Sequence, residues 1–224
     1  MAPRPRHTQG FTQVSNDEPL AAARIVPAVF NPSRRFMKLD IRAEARLQLA
    51  AYLQRFPDEA GRLAALLAQF DEDRGDLFSR ANRRGHLTTS AFVLDPGLQQ
   101  ILLIHHGTLK RWLQPGGHYE AGQSLWESAV REAMEETGVA ALSAHPGFGT
   151  AIPLDIDSHA IPANPRKAEA AHWHHDYAYL VIAPLDAPLR PQLDEVSDVV
   201  WRPLDALADA PRFRAVALKL AAFC

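Results

Sequence analysis

Three carboxylates crowd into five residues of one stretch, Arg131-Glu132-Ala133-Met134-Glu135-Glu136-Thr137-Gly138, and the flanking residues oblige that stretch to be a helix. Ser124 followed three residues later by Glu127 has the form of a capping box, and Gly138 stands where a left-handed residue commonly closes a helix. The spacing predicts a helix over Leu125 to Thr137. At about 100° per residue, Trp126, Ala129, Val130, Ala133, Met134 and Thr137 gather on a core face, and Glu132, Glu135 and Glu136 on the opposite one. Glu132 lies three and four residues from the other two, like-charge spacings that cost roughly 0.2–0.5 kcal/mol each. Glu135 and Glu136 also sit in the last turn, where the helix dipole disfavours anions. Arg131 can pair with Glu127 and Glu135 and offsets part of this. A hard divalent cation, Mg²⁺ or Mn²⁺, offsets more, since all-carboxylate ligation with retained waters suits such ions. For three glutamates alone, a solvated acidic helix face is the commoner reading. The preceding loop reverses that preference. Leu113-Gln-Pro-Gly116-Gly117-His118-Tyr-Glu120-Ala-Gly122 is a glycine- and proline-rich lead-in whose backbone can come close to a ligand.

From Gly117 to Val139 the chain reads glycine, five residues, Gln123, seven residues, then Arg-Glu-Ala-x-Glu-Glu-x-Gly-Val. This resembles the signature of the Nudix hydrolases, with Gln123 where the family has its first glutamate. The resemblance implies an α/β/α sandwich with a mixed sheet, preceded here by a helical extension. It implies Mg²⁺ or Mn²⁺ held by Glu132, Glu135 and Glu136, and hydrolysis of a diphosphate linkage in a small nucleoside diphosphate derivative. Arg131 would orient the glutamates, and Gly116 and Gly117 would fix the loop against the ligand. A carboxylate would take the proton from water, either Glu132 or one outside the helix. Glu195, Asp198 and Glu120 are candidates, and Glu195 is grouped with Arg131, Glu132 and Glu136 as the catalytic set. An amide at Gln123 hydrogen-bonds like a carboxylate but brings no charge. Altered or weaker metal binding with activity retained is the expectation; a Nudix-fold nucleotide-sensing or interaction module without turnover is the alternative. The Nudix-like isopentenyl diphosphate isomerases rely on an internal cysteine, whereas the only cysteine here is Cys224. Dinucleoside polyphosphates, nucleotide sugars and oxidised nucleotides all stay open as substrates.

His172-x-His174-x-Asp176 places three candidate ligands on one face of a strand, with Trp173, His175 and Tyr177 on the other. Such a set can hold a transition metal. In the family this part of the sheet borders the pocket, so His172 and His174 are read as substrate contacts together with His118, Gly116 and Gly117. His105 and His106 flank the same loop.

A net charge of −2 over 224 residues supplies no basic field for long nucleic acid. A lone cysteine excludes an intrachain disulfide framework and a cysteine zinc cluster. No apolar run is long enough to span a membrane, and residues 1–20 lack a secretory apolar core, so the expected location is cytoplasmic. Three regions are expected: a mostly irregular segment over 1–39, a helical extension over 40–84 with Asp40 as a helix cap, and the catalytic domain over 85–224. Packing, substrate shaping or contact in a homodimer are the roles open to the extension. Strands are predicted at Leu87–Leu94, Gln100–His105, Ile152–Ile156, Asp176–Ile182 and Val196–Trp201, with a last helix over Phe213–Phe223.

Overall fold

The computed structural model describes residues 40–165, 169–207 and 210–222. The expected irregular segment over 1–39 lies outside the described residues. Asp40 caps the first helix, α1 (Ile41–Arg55), by accepting from the Ala43 N–H at 3.2 Å. A 3₁₀ turn at Pro57–Glu59 leads to α2 (Ala64–Glu72).

An eight-stranded mixed sheet follows. β1 (Gly85–Leu94) runs parallel to β7 (His172–Ile182) along its whole length, while every other pairing is antiparallel. β1 and β2 (Gln100–His106) pair only at Val93–Leu94 with Leu102–Ile101 and then diverge. β3 (Arg111–Leu113) continues along β2, and β4 (Gly116–His118) continues along β1. Gln114 and Pro115 bridge that gap, so the glycine-rich loop is seated within the sheet. The helix α3 (Leu125–Thr137) follows, then β5 (Ser143–Ala144) and β6 (Asp155–Ile161), which flank β7. β8 (Val196–Pro203) covers the other side of β2, and α4 (Arg214–Ala221) ends the described fold.

Alternation along the strands sends side chains to two cores. Leu87, Ala91 and Val93 of β1 and Tyr177, Tyr179 and Val181 of β7 pack with α1, α2 and α3. Phe92 and Leu94, with Ala178 and Leu180, pack on the other face with Val216 and Leu220 of α4. The result is the expected α/β/α sandwich. α1 and α2 belong to the first core directly: the Tyr177 hydroxyl donates to the Ala45 carbonyl at 3.0 Å. Beside that core is an ion cluster in which Lys219 and Asp155 are buried and Arg62 and Glu59 half-buried. Lys219 of α4 reaches Glu59 at 2.9 Å and Asp155 at 2.5 Å, and Arg62 reaches the same two carboxylates at 2.6 and 2.5 Å.

The strands differ from the sequence reading in two ways. The strand expected at Ile152–Ile156 begins instead at Asp155, because pairing with β7 positions it and Pro153 has no N–H for a ladder. β3, β4 and β5 went unseen because two or three residues carry no measurable periodicity.

Candidate active site

α3 is set by its ends. Ser124 Oγ accepts from the Glu127 N–H at 3.2 Å while Glu127 accepts from the Ser124 N–H at 2.8 Å, a complete capping box. Gly138 closes the helix at φ 74°, and a Cβ there would stand 2.6 Å from Arg190 Cβ. The small residues Ser128, Ala129 and Ala133 let the helix lie close on β1, where Thr89 Oγ1 bonds Ser128 Oγ at 2.9 Å.

That seating corrects the expected faces. Met134 is 40% exposed and Glu136 only 3%. Glu136 is carried under the sheet rather than out to solvent, because α3 presses against the open edge of β4. There the Gly116 N–H donates to Glu136 Oε2 at 2.8 Å, and Arg131 Nη2 donates to the His118 carbonyl at 2.9 Å. The helix thus completes a strand edge with side chains, satisfying backbone groups that β1 does not reach. The three glutamates differ accordingly. The side chain of Glu132 is 12% exposed and that of Glu135 is 50% exposed, while Glu136 is enclosed.

Arg131 holds the group together. It donates to Glu132 Oε1 at 2.9 Å, to Glu135 Oε2 at 2.8 Å and to Gln123 Oε1 at 3.3 Å, and Glu120 lies 3.7 Å from it. Gln123 therefore fills its place as a neutral acceptor for the arginine. Its own carbonyl accepts from the Tyr119 hydroxyl at 2.8 Å, and Tyr119 packs on Phe78. A Cβ at Gly117 would fall 2.6 Å from the Glu132 carboxylate, so a side chain there would displace that acid.

Positive charge is scarce here. Among the described residues Arg131 is the ion-pair partner of Glu132 and Glu135, and Glu136 has none. Burial pushes the Glu136 carboxyl up to about 8, with Glu132, Glu195 and Glu135 adding to the rise against the Gly116 N–H. Burial also raises Glu132, against Arg131. Glu195 reaches this field because residues 190–196 cross the end of α3: the Arg190 N–H donates to the Thr137 carbonyl at 2.7 Å. Asp198 instead accepts from the Val199 N–H beside it. Clustered oxygen donors, partly desolvated and short of cations, fit a hard divalent ion.

A model of the NUDIX domain family matches residues 84–222. The chain belongs to the Nudix hydrolase family. A probable DHNTP pyrophosphohydrolase of Lactococcus lactis is 30% identical over 120 residues, covering 54% of this chain and 68% of that one. A putative 8-oxo-dGTP diphosphatase of Bacillus subtilis is 52% identical over 62 residues, covering 27% of this chain and 42% of that one. The solved structure of a NUDIX-family hydrolase from Clostridium perfringens aligns at TM-score 0.46 and 23% identity, covering 64% of this chain and 99% of that one.

The histidines of this Nudix protein divide by strand face. Gly117 faces Glu132, so its neighbour His118 faces the other side of β4. There His118 meets His172 and His174 of β7 and a residue the sequence reading missed, His86 of β1. Asp176 does not join them. It is buried, with Thr88 Oγ1 at 3.0 Å and Ser90 Oγ at 2.5 Å as donors. The signal for His86 lay in the strand period: His86-x-Thr88-x-Ser90 mirrors His174-x-Asp176, and parallel pairing sets His86 against His174 and Thr88 against Asp176. His105 bonds Ser197, and His106 accepts from the N–H groups of Thr108 and Leu109 in its own turn.

Proposed function

We propose that this chain hydrolyses a diphosphate linkage in a small nucleoside diphosphate derivative, with Mg²⁺ or Mn²⁺ bound by Glu132, Glu135 and Glu136. The observation that carries the reading is the enclosed Glu136 carboxylate, held by the Gly116 N–H and without an ion pair among the described residues. The names of the two relatives, a pyrophosphohydrolase and a diphosphatase, support the same reaction type.

A divalent ion in such a site neutralises phosphate charge and aids deprotonation of water. The rest falls to the chain. Arg131 orients Glu132 and Glu135 through charge-assisted hydrogen bonds. Gly116 and Gly117 form the backbone rim next to the diphosphate, their lack of side chains admitting Glu132 and the ligand together. Glu195, exposed and within the field of Glu132 and Glu136, takes the proton from the attacking water. The rings of His118, His172 and His174 face away from this edge, and no part in holding the diphosphate is proposed for them.

The test is release of phosphate, pyrophosphate or nucleoside monophosphate from a panel that includes DHNTP, 8-oxo-dGTP, nucleotide sugars and dinucleoside polyphosphates. It is run with Mg²⁺, with Mn²⁺ and with EDTA, on wild type and Glu136→Gln. Metal-dependent turnover lost in the variant supports the reading. Saturable nucleotide binding without turnover on any panel member refutes it in favour of a sensing module.

A further inference from the structure

We propose that His86, His172 and His174, with His118 beside His86, form a binding site for a divalent transition-metal ion, Zn²⁺ foremost, separate from the glutamate centre. Three strands bring these imidazoles to one sheet face. One nitrogen from each of His86, His172 and His174 lies within 4.8 Å of the others. The Nε2 atoms of His172 and His174 are 3.2 Å apart, and those of His118 and His86 are 3.0 Å apart. Tetrahedral zinc with Zn–N bonds of about 2.0–2.1 Å sets neighbouring donor nitrogens about 3.3 Å apart, the spacing already held by the His172–His174 pair.

The protonation states suit a ligand set. His172 Nδ1 lies 2.8 Å from the Ala170 carbonyl, which can only accept. Its hydrogen is therefore on Nδ1, and the Nε2 lone pair points at His174, the outer-shell arrangement that orients a metal-bound histidine. His86 is 2% exposed, and its Nδ1 is buried without a hydrogen-bond partner among the described residues.

The donor set also chooses the ion. Imidazole nitrogens favour zinc and its transition-metal neighbours over Mg²⁺, which prefers oxygen. Of the charges near His86, Glu169 assists a cation and Arg80 opposes it. The paired Asp157 and His159 border His174. A bound ion would tie β1, β4 and β7 together beneath the loop that carries Gly116 and Gly117.

The experiment uses the full chain, stripped with a strong chelator and then titrated with Zn²⁺ against a chromophoric competitor in excess Mg²⁺, which occupies carboxylate sites. One zinc per chain is expected. Affinity should fall at least about tenfold in His86→Ala and in His174→Ala, the scale on which even outer-shell losses act, and should be unchanged in Glu136→Gln. Co²⁺ in the wild-type protein should give the intense visible bands of a tetrahedral site, a result that needs no variant to fold. Full zinc affinity in folded histidine variants, loss of zinc in Glu136→Gln, or a weak octahedral cobalt spectrum would each overturn the assignment.

Discussion

Two groups of acids in this molecule are taken out of water in opposite ways. Glu59 and Asp155 meet two built-in cations, Lys219 and Arg62, with the Tyr52 hydroxyl among them. Burial alone would raise Glu59, but hydrogen bonds from Tyr52, Lys219 and Arg62 outweigh it and hold its carboxyl below the usual value. Around α3, Glu132 and Glu135 share Arg131, with Glu120 close by, while Glu136, with no ion pair among the described residues, is driven up to about 8. Acids that hold the fold together bring their own counter-charge. The acids proposed to bind the metal are left short of it, the condition that favours an added cation.

The sharpest way to break this contrast is Lys219→Met. Removing one partner of a buried cluster should cost roughly 3–5 kcal/mol of stability, read as a lower urea midpoint, while turnover per folded molecule stays within about twofold. Glu136→Gln should do the reverse. Turnover falls by roughly 10²–10³-fold, about 3–4 kcal/mol in the barrier, and the melting temperature is unchanged or higher because an underpaired buried carboxylate is gone. A fall in melting temperature matching that of Lys219→Met would make the two acid groups alike. Gly117→Ala probes the same side: its methyl would collide with the Glu132 carboxylate, so a turnover loss of about tenfold is expected, about 1.4 kcal/mol. Stability should change less, since the backbone at Gly117 is not in the left-handed region.

How much of this could be read in the sequence follows from the same contrast. The glutamate centre occupies one continuous stretch, and its capping box, its closing glycine and its three acids are all local, so spacing alone placed them together on one helix. The burial of Glu136 was not legible, because it depends on β4, a three-residue strand whose open edge α3 completes. The ion cluster was invisible for a different reason: Glu59 and Arg62 are neighbours in one turn, but Asp155 lies in β6 and Lys219 in α4, and only the folded core assembles them. His86 and His174 share that difficulty, although the matching polar alternation of β1 and β7 was a usable signal once parallel pairing is assumed.

The pH dependence of stability should then belong to the paired acids. Glu59 has a folded pKa below its unfolded value of 4.5, so between the two the unfolded chain binds more protons. Its contribution is complete above about pH 4.5 and is lost as pH falls through the folded value. Urea unfolding between pH 6 and pH 3 should show stability draining across that lower window in wild type and a shallower decline in Glu59→Gln. Equal slopes would mean that the cluster contributes nothing to acid sensitivity.

The smallest effect is expected at Gln123, where the family signature has glutamate. The amide already accepts from Arg131 Nε, so Gln123→Glu leaves the geometry in place and adds one negative charge about a side chain's length from the glutamates. That charge strengthens the bond to Arg131 and raises the local demand for cations. The Mg²⁺ concentration for half-maximal turnover should drop by a few-fold, with kcat changed less than about threefold, under 1 kcal/mol. A gain in kcat of a hundredfold or more would show that a carboxylate at this position does chemistry, and that the wild-type centre is tuned away from rapid turnover.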